Sequence, residues 1–215
     1  IQNEVELITE RISRYAEEHS EPESPLLERI NRETHVGVHM ARMLSGHLQG
    51  RFLATMSRLV KPKKILEIGT YTGYSALCLA EGLAPGGALI TIDINEELEQ
   101  RVRGYFRDSG FGSQLDYRVG DALDVIPGIP GPLDLVWIDA DKENYSTYFD
   151  LVVDKVPAGG CILADNVLWS GKVLESRVDK DTKALQQFNR KVLDDPRVTS
   201  MLLPVRDGIM MMVKN

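Results

Sequence analysis

Short apolar runs alternate with amphipathic segments along most of this chain. The pattern predicts strands at residues 64–69, 88–93, 115–119, 133–138 and 160–164, most of them followed by a helical segment. Strands that alternate with helices over short links build a parallel sheet with helices on both faces. We therefore predict an α/β fold with a doubly wound, mainly parallel sheet of the Rossmann-like type.

The end of the chain departs from this alternation. Two further strands, at residues 198–205 and 209–213, are separated only by Arg206, Asp207 and Gly208. A three-residue turn that contains glycine is typical of a hairpin, so one of these strands must run antiparallel to the rest. The complete prediction is a seven-stranded sheet with a C-terminal antiparallel strand.

Helices are predicted before the first strand and between the later ones. The first covers residues 4–19, where Val5, Ile8, Ile12, Tyr15 and Ala16 fall at helical spacing. The other predicted helices cover residues 25–34, 47–60, 74–83, 96–109, 145–155 and 181–193. We expect one domain, in which residues 1–60 form an N-terminal helical cap and residues 61–215 form the Rossmann-like core.

Composition narrows the class of protein. The chain of 215 residues carries 25 basic and 32 acidic residues, a net charge of −7, and it has no basic stripe for binding nucleic acid. No apolar run is long enough to span a bilayer, and the acidic start does not read as a signal peptide. Cys78 and Cys161 fall in a predicted helix and strand, which favours core roles and a reducing, cytoplasmic location.

A glycine turn follows the first strand, where open α/β sheets bind ligands. Gly69 permits a tight turn, and Gly73 begins the next helix. Ser75 lies near the start of that helix, where its hydroxyl can donate a hydrogen bond to a ligand. Tyr71 occupies the place of the second glycine of the dinucleotide pattern G-x-G-x-x-G. A phenol ring there disfavours a pyrophosphate, so the turn favours a ligand without phosphates.

Carboxylates close the next two strands. Asp93 ends the second strand, where it can accept hydrogen bonds from ribose hydroxyls, and Asp121-Ala122 follows the third strand, beside the expected place of a base. These residues predict a site for a nucleoside without phosphates. The plain alternative is a structural turn with a helix cap and two surface carboxylates.

Oxygen ligands follow the fourth and fifth strands. Asp139 ends one, and Asp165 and Asn166 end the other. If the strands are neighbours, the three side chains converge into a set that suits Mg²⁺, Mn²⁺ or Ca²⁺. The alternatives are that they cap helices, and that Lys142 simply pairs with Asp139. His35 and His39 share a helical spacing but lack the Glu of a zinc motif, so we predict surface roles for them.

The chain resembles the small cation-dependent O-methyltransferases, the family of catechol and caffeoyl-coenzyme A O-methyltransferases that use S-adenosylmethionine. The resemblance runs in order over nearly the whole chain, through residues 43–46 with Gly50, residues 66–75, 92–93, 120–122, 138–145 and 165–171. It implies methyl transfer to a hydroxyl of a small catechol-like aromatic compound, assisted by a divalent cation. It also implies a homodimer with no nucleic-acid or membrane partner.

The resemblance implies a role for each matching residue. The S-adenosylmethionine site would consist of Ser45, Glu67, Gly69, Thr70, Tyr71, Ser75, Asp93, Asp121 and Ala122. The cation would be held by Asp139, Asp165 and Asn166. Lys142 would be the general base, with Asp139 beside it in the catalytic group, and Met43 and Trp169 would line the substrate pocket.

Two features of the sequence leave the identity of the methyl acceptor undecided. Catechol O-methyltransferase has an acidic residue near the last turn, whereas this chain reads Leu203-Pro204-Val205-Arg206. Basic contacts for coenzyme A are not evident near the start of the chain. Two alternative functions remain, those of a nicotinamide-dependent dehydrogenase and of a non-catalytic nucleoside-binding module. A cation-independent methyltransferase that acts on nucleic acid or protein fits the acidic net charge poorly.

Overall fold

A computed structural model describes residues 9–215 as a seven-stranded sheet with the strand order β3-β2-β1-β4-β5-β7-β6. The strands are β1 (Lys64–Ile68), β2 (Ala88–Asp93), β3 (Leu115–Val119), β4 (Leu135–Ile138), β5 (Cys161–Ala164), β6 (Val198–Leu203) and β7 (Ile209–Lys214). The helices are α1 (Glu10–Glu18), α2 (Pro25–Gly37), α3 (Gly46–Val60), α4 (Tyr74–Ala80), α5 (Glu99–Asp108), α6 (Ala122–Val125), α7 (Tyr145–Val153) and α8 (Lys180–Asp194).

The predicted fold class is confirmed by the pairing of the strands. The order in which strands are added reverses at β1, which pairs in parallel with β2 on one side and with β4 on the other. Only β7 runs against the rest, pairing antiparallel with β5 and with β6. The carboxyl ends of β1, β2, β3, β4 and β5 therefore share one edge of the sheet, which is where the candidate residues follow.

Two apolar cores hold the sheet, one on each face. Side chains alternate along a strand, so Leu66 and Ile68 of β1 face one core and Ile65 the other. Helices α7 and α8 cover the first face through Phe149 and Phe188, whose rings pack edge to face. Helices α2 to α5 cover the second face. A strand buried on both faces reads as a nearly continuous apolar run, as β1, β2, β4 and β5 do.

Several predicted boundaries shift. The second helix extends to Gly37, past the predicted end at Thr34, and the fifth begins with a separate 3-10 turn at Glu96–Leu98. The strand predicted from residue 133 begins at Leu135, and the one predicted to end at residue 205 ends at Leu203. The short helix α6 was not predicted, because its four residues show no period.

The first predicted helix is confirmed for Glu10–Glu18, while Val5 and Ile8 lie outside the described residues. Thr9 caps this helix by accepting a hydrogen bond from the backbone N–H of Ile12. Its apolar side chains do not enter the core: Ile12 is 60% exposed and Tyr15 63% exposed. No helix within residues 9–215 is long and apolar enough to cross a membrane.

Candidate active site

The glycine turn after β1 is packed against the end of β4. Gly69 has φ +99°, and a Cβ at this position would lie 1.8 Å from the carbonyl oxygen of Asp139. Gly73 also has a positive φ, +80°, and precedes α4. A side chain at position 69 would push the two strand ends apart, so glycine is what allows the turn and Asp139 to meet.

Glu67 is buried completely at the end of β1. Its two carboxyl oxygens accept hydrogen bonds from Ser75 Oγ (2.6 Å) and Thr91 Oγ1 (2.5 Å). Burial raises the pKa of Glu67 to about 8, and the two hydroxyl donors only partly oppose that shift. Thr70, 1% exposed, hydrogen-bonds Thr91 in turn. The structure therefore joins three of the residues predicted to hold the cofactor into one buried polar group.

The side chain of Asp93, at the carboxyl end of β2, accepts hydrogen bonds from two backbone N–H groups. Its Oδ2 accepts a hydrogen bond from the N–H of Tyr71 (2.6 Å) and its Oδ1 from the N–H of Asn95 (2.9 Å). Asp93 thereby fixes the glycine turn while each oxygen keeps a lone pair. Asp121, by contrast, is exposed, and its Oδ1 caps α6 by accepting a hydrogen bond from the N–H of Leu123 (2.8 Å), while its second oxygen faces no such backbone donor within residues 9–215.

The other residues predicted to contact the cofactor or the acceptor are Ser45, Ala122 and Met43. Ser45 is 7% exposed at the start of α3, where its side chain makes no capping hydrogen bond. Ala122, 9% exposed, opens α6 beside Asp121. Met43 is 54% exposed on a 3-10 turn, Ala41–Met43, just before α3. Met43 is therefore accessible from solvent.

The strand ends β4 and β5 bring the predicted cation ligands together, because Ile138 pairs with Ala164. Lys142, 8% exposed, bridges them: its Nζ donates to Asp139 Oδ1 (3.3 Å) and to Asn166 Oδ1 (3.0 Å). The ion pair between Lys142 and Asp139, which was one of the alternatives drawn from the sequence, is present. It is one contact within a larger cluster.

Tyr145 completes the surroundings of Lys142. The Lys142 ammonium donates to the Tyr145 hydroxyl (2.5 Å), which donates to the backbone oxygen of Asp165 (3.1 Å). Burial raises the pKa of Tyr145 well above its usual range, so it remains a neutral phenol. The lysine side chain also lies near the Trp169 ring, with Nζ 5.6 Å from its centroid. These contacts hold the amine at one place.

Asp165 is the deepest carboxylate of the cluster, at 3% exposure. Its Oδ2 accepts a hydrogen bond from Gln49 Nε2 (2.5 Å), whereas its buried Oδ1 has no hydrogen-bond partner within residues 9–215. Burial, and then the nearby charge of Asp139, raise the pKa of Asp165. An unsatisfied buried carboxylate oxygen beside a second carboxylate is an arrangement that a bound cation would stabilise.

This set of oxygens fits a hard divalent cation. Two carboxylates and one amide oxygen, without sulfur or imidazole, are the donors that Mg²⁺ and Ca²⁺ prefer. Within residues 9–215 no group of three His, Cys, Asp or Glu side chains that could hold a metal ion is present, and a third ligand at this place would have to be Asn166. Asn166 has φ +55°, a left-handed conformation that asparagine tolerates.

The β6–β7 turn supports the cluster from outside. Asp207 accepts a hydrogen bond from the N–H of Ser170, and its backbone oxygen accepts one from the N–H of Leu168 (2.9 Å). Arg206 Nη1 donates to Gln49 Oε1 (2.7 Å). The turn thus contacts both the loop that carries Trp169 and the helix that carries Gln49.

Sequence reasoning missed four residues of this site: Gln49, Tyr145, Arg206 and Asp207. Tyr145 lies in a matched segment but received no role, and the other three reach the cluster only through tertiary packing. His35 and His39 are exposed, and α2 ends between them at Gly37, in agreement with the predicted surface roles.

The order of the strands and the ligand site at their carboxyl edge define a Rossmann-like methyltransferase. A family model described as O-methyltransferase matches residues 17–215. The chain therefore belongs to the O-methyltransferase family, whose members transfer a methyl group from S-adenosylmethionine.

Individual relatives agree with this assignment. Catechol O-methyltransferase domain-containing protein 1 of Mus musculus is 34% identical over 172 residues, 77% of this chain and 66% of that protein. Caffeoyl-CoA O-methyltransferase of Petroselinum crispum is 35% identical over 174 residues, 75% of this chain and 72% of that protein. The SAH-bound methyltransferase from Podospora anserina has a TM-score of 0.89 at 29% identity, covering 100% of this chain and 98% of that one.

Proposed function

We propose that this enzyme methylates one hydroxyl of a catechol-like substrate, an aromatic ring with two adjacent hydroxyls, and that a divalent cation assists the reaction. One observation carries the proposal. Lys142 Nζ lies within hydrogen-bonding distance of Asp139 and Asn166, beside a buried Asp165 oxygen that lacks a partner. An amine and three oxygen ligands in one cluster suit the deprotonation and orientation of a diol.

The cofactor and acceptor sites share one boundary. Gly69 approaches the carbonyl of Asp139 so closely that no side chain fits between them. A ligand over the glycine turn and a ligand over the Asp139 cluster would therefore be neighbours, as direct transfer requires. When bound, S-adenosylmethionine supplies an electrophilic methyl group, and the cation lowers the cost of ionising the acceptor hydroxyl.

The chain's own groups have separate tasks in this proposal. Asp139, Asp165 and Asn166 hold the cation, and Lys142 accepts the proton of the attacking hydroxyl at Nζ. Trp169 and Met43 form the wall against which the aromatic ring lies. Ser45, Glu67, Thr70, Tyr71, Ser75, Asp93, Asp121 and Ala122 hold the methyl donor.

Two alternatives from the sequence lose support. A dehydrogenase would need room for a pyrophosphate at the glycine turn, where Tyr71 stands with φ +48°. A non-catalytic binding module would not need a lysine held by three polar partners. We further propose a homodimer in the cytoplasm, with residues 1–60 as a helical cap on a core of residues 61–215.

The test is methyl transfer from labelled S-adenosylmethionine to matched pairs of phenols. Each pair consists of a catechol and the same compound lacking one hydroxyl, assayed with Mg²⁺ and again with excess chelator. We expect transfer only to the catechols and only without chelator. Transfer that persists in the chelator would contradict the cation site, and transfer to the monophenols would contradict the diol.

A further inference from the structure

We infer that the natural acceptor carries a carboxylate, and that Arg206 binds this group and so selects anionic over neutral catechols. The inference rests on the proposed function, because it places the two hydroxyls at the Asp139–Asp165–Asn166 cluster. It adds a second point of recognition on the opposite side of the acceptor from the reacting hydroxyl.

The position of Arg206 is fixed through a buried residue. Its Nη1 donates to Gln49 Oε1 (2.7 Å), and the amide of Gln49 donates to Asp165 Oδ2 (2.5 Å). Gln49 is only 3% exposed, so it is an immobile support. Two hydrogen bonds across one amide put the guanidinium roughly 7 Å from the Asp165 carboxylate.

The guanidinium keeps most of its donors available. Arginine has five N–H groups, and Gln49 takes one of them. Across residues 9–215 no carboxylate forms an ion pair with Arg206, whereas Arg51, Arg103 and Arg190 each have such a partner. The adjacent Asp207 binds the N–H of Ser170, on the loop that carries Trp169. Arg206 therefore presents a planar guanidinium with four further N–H donors, a shape that matches a carboxylate.

The backbone directs this side chain toward the site. Arg206 has φ +51°, the left-handed conformation that an arginine rarely adopts. The turn also brings Nη1 to 3.8 Å from where a Cβ on Gly46 would lie, beside Ser45 and the start of α3. The cation accordingly lies at the rim between the cofactor and acceptor regions, within reach of a short side chain on a bound ring.

The negative net charge of the protein makes a local positive charge at Arg206 important for binding an anionic acceptor. A net charge of −7 repels anions, so an anionic acceptor gains from a local cation at the entrance. Lys142, the other nearby cation, is 8% exposed and already bonded to Asp139, Asn166 and Tyr145. Arg206 is the exposed one of the two, and it is the one that can accept a new partner.

The experiment compares 3,4-dihydroxyphenylpropanoate with its primary amide, which has the same shape but no charge. We expect kcat/KM for the carboxylate to exceed that for the amide by about tenfold, the value of a modest charge-assisted contact. Arg206→Met should bring the ratio close to one, and Arg206→Lys should retain part of it. High salt should lower the ratio in the unaltered enzyme, because exposed charges are screened.

The control is Arg190→Met, since Arg190 is an exposed arginine of α8 paired with Asp194. It should keep the ratio of the unaltered enzyme. A ratio unaffected by Arg206→Met would overturn the inference, and so would an equal loss for both acceptors, which means that Arg206 acts only through Gln49. A raised KM for S-adenosylmethionine with an unchanged ratio would assign Arg206 to the cofactor instead.

Calorimetric binding of the two acceptors, with Mg²⁺ and S-adenosylhomocysteine present, separates this inference from the proposed function. Tighter binding of the carboxylate that depends on Arg206, without methyl transfer, would support the recognition and contradict the reaction. Methyl transfer to both acceptors without preference would contradict the recognition alone. Neither binding nor transfer of any catechol would contradict both.

Discussion

Gln49 on α3 donates a hydrogen bond of 2.5 Å to Asp165 at the end of β5, across 116 residues of sequence. This contact fixes one oxygen of the carboxylate and leaves the other without a partner within residues 9–215. The helical part of the chain before β1 therefore contributes directly to the candidate cation site, which the core alone does not complete.

Replacing Asp165 by Asn should separate cation binding from folding. We expect Mg²⁺ affinity, measured by calorimetry, to fall by about tenfold or more, because one of two carboxylate ligands is lost. With chelator present the thermal midpoint should stay the same or rise, since a buried carboxylate next to Asp139 is disfavoured in the folded protein.

Asp141→Asn is the matched control for that substitution. Asp141 stands two residues from Asp139 but binds Tyr148 and Asn144 instead of the cluster. Its loss should leave Mg²⁺ affinity unchanged. Equal Mg²⁺ affinity in the Asp165 variant and the unaltered enzyme would remove Asp165 from the ligand set.

Replacing Lys142 by Met should slow turnover without weakening the binding of S-adenosylmethionine. Loss of a general base lowers kcat by about 10²–10⁴-fold, whereas the glycine turn and Asp93 are untouched. Steady-state kinetics and cofactor titration measure the two effects. Lys180→Met is the control, because Lys180 is 80% exposed and pairs only with Glu143. Unchanged turnover of the Lys142 variant would contradict its role.

Glu67 should make the stability of the ligand-free protein depend on pH. Its pKa rises from an ordinary value of 4.5 to about 8 on folding, so the folded state binds more protons between those values. The free energy of unfolding accordingly falls as pH increases through that window. Glu67→Gln removes this term, and its thermal midpoint should gain several degrees on the unaltered protein between pH 5 and pH 8.

Glu97→Gln, at an exposed position, should show no such gain. Thermal melts of the three proteins at matched ionic strength measure the difference. A constant offset between the Glu67 variant and the unaltered protein across this range would mean that Glu67 is ionised at all these pH values.

Gly69→Ala should destabilise the protein strongly. The added Cβ would lie 1.8 Å from the Asp139 oxygen at φ +99°, so we expect a loss of about 3 kcal/mol or more in urea unfolding. Gly86→Ala is the control, with φ +74° and nothing within 4 Å of the new atom, and should cost about 1 kcal/mol. Similar losses at both positions would show that the contact with Asp139 is relaxed.

The central strands β1, β2, β4 and β5 were predictable because they are buried on both faces and leave nearly continuous apolar runs. Asp139, Asp165 and Asn166 were predictable as one cluster because parallel strands end at a common edge, given that β4 and β5 are neighbours. The strand boundaries were less accurate, since Leu133 is as buried as Leu135 but lies outside the hydrogen-bonded ladder.

Contacts made across the fold were not predictable. Gln49 reads as one polar residue on a helix, and only the packing of α3 over β5 turns its amide toward Asp165. The exposure of Ile12 and Tyr15 was equally hidden, because helical spacing identifies an apolar face but not what covers it. In the sequence, the segment that ends at Arg206 differs from catechol O-methyltransferase because it lacks an acidic residue. The structure adds that Arg206 contacts Gln49, which no sequence pattern indicates.

The β6–β7 turn has a consequence for how such an enzyme can diversify. Its ends are fixed by the antiparallel pairing of Leu203 with Ile209, while Arg206 contacts Gln49 on α3 and Asp207 contacts Ser170. Exchanging the single residue at position 206 changes the charge that an incoming acceptor meets and leaves every strand pairing in place. On the inference that Arg206 selects the acceptor, the adjustable part of the specificity is a turn of a few residues that lies outside the strand pairing.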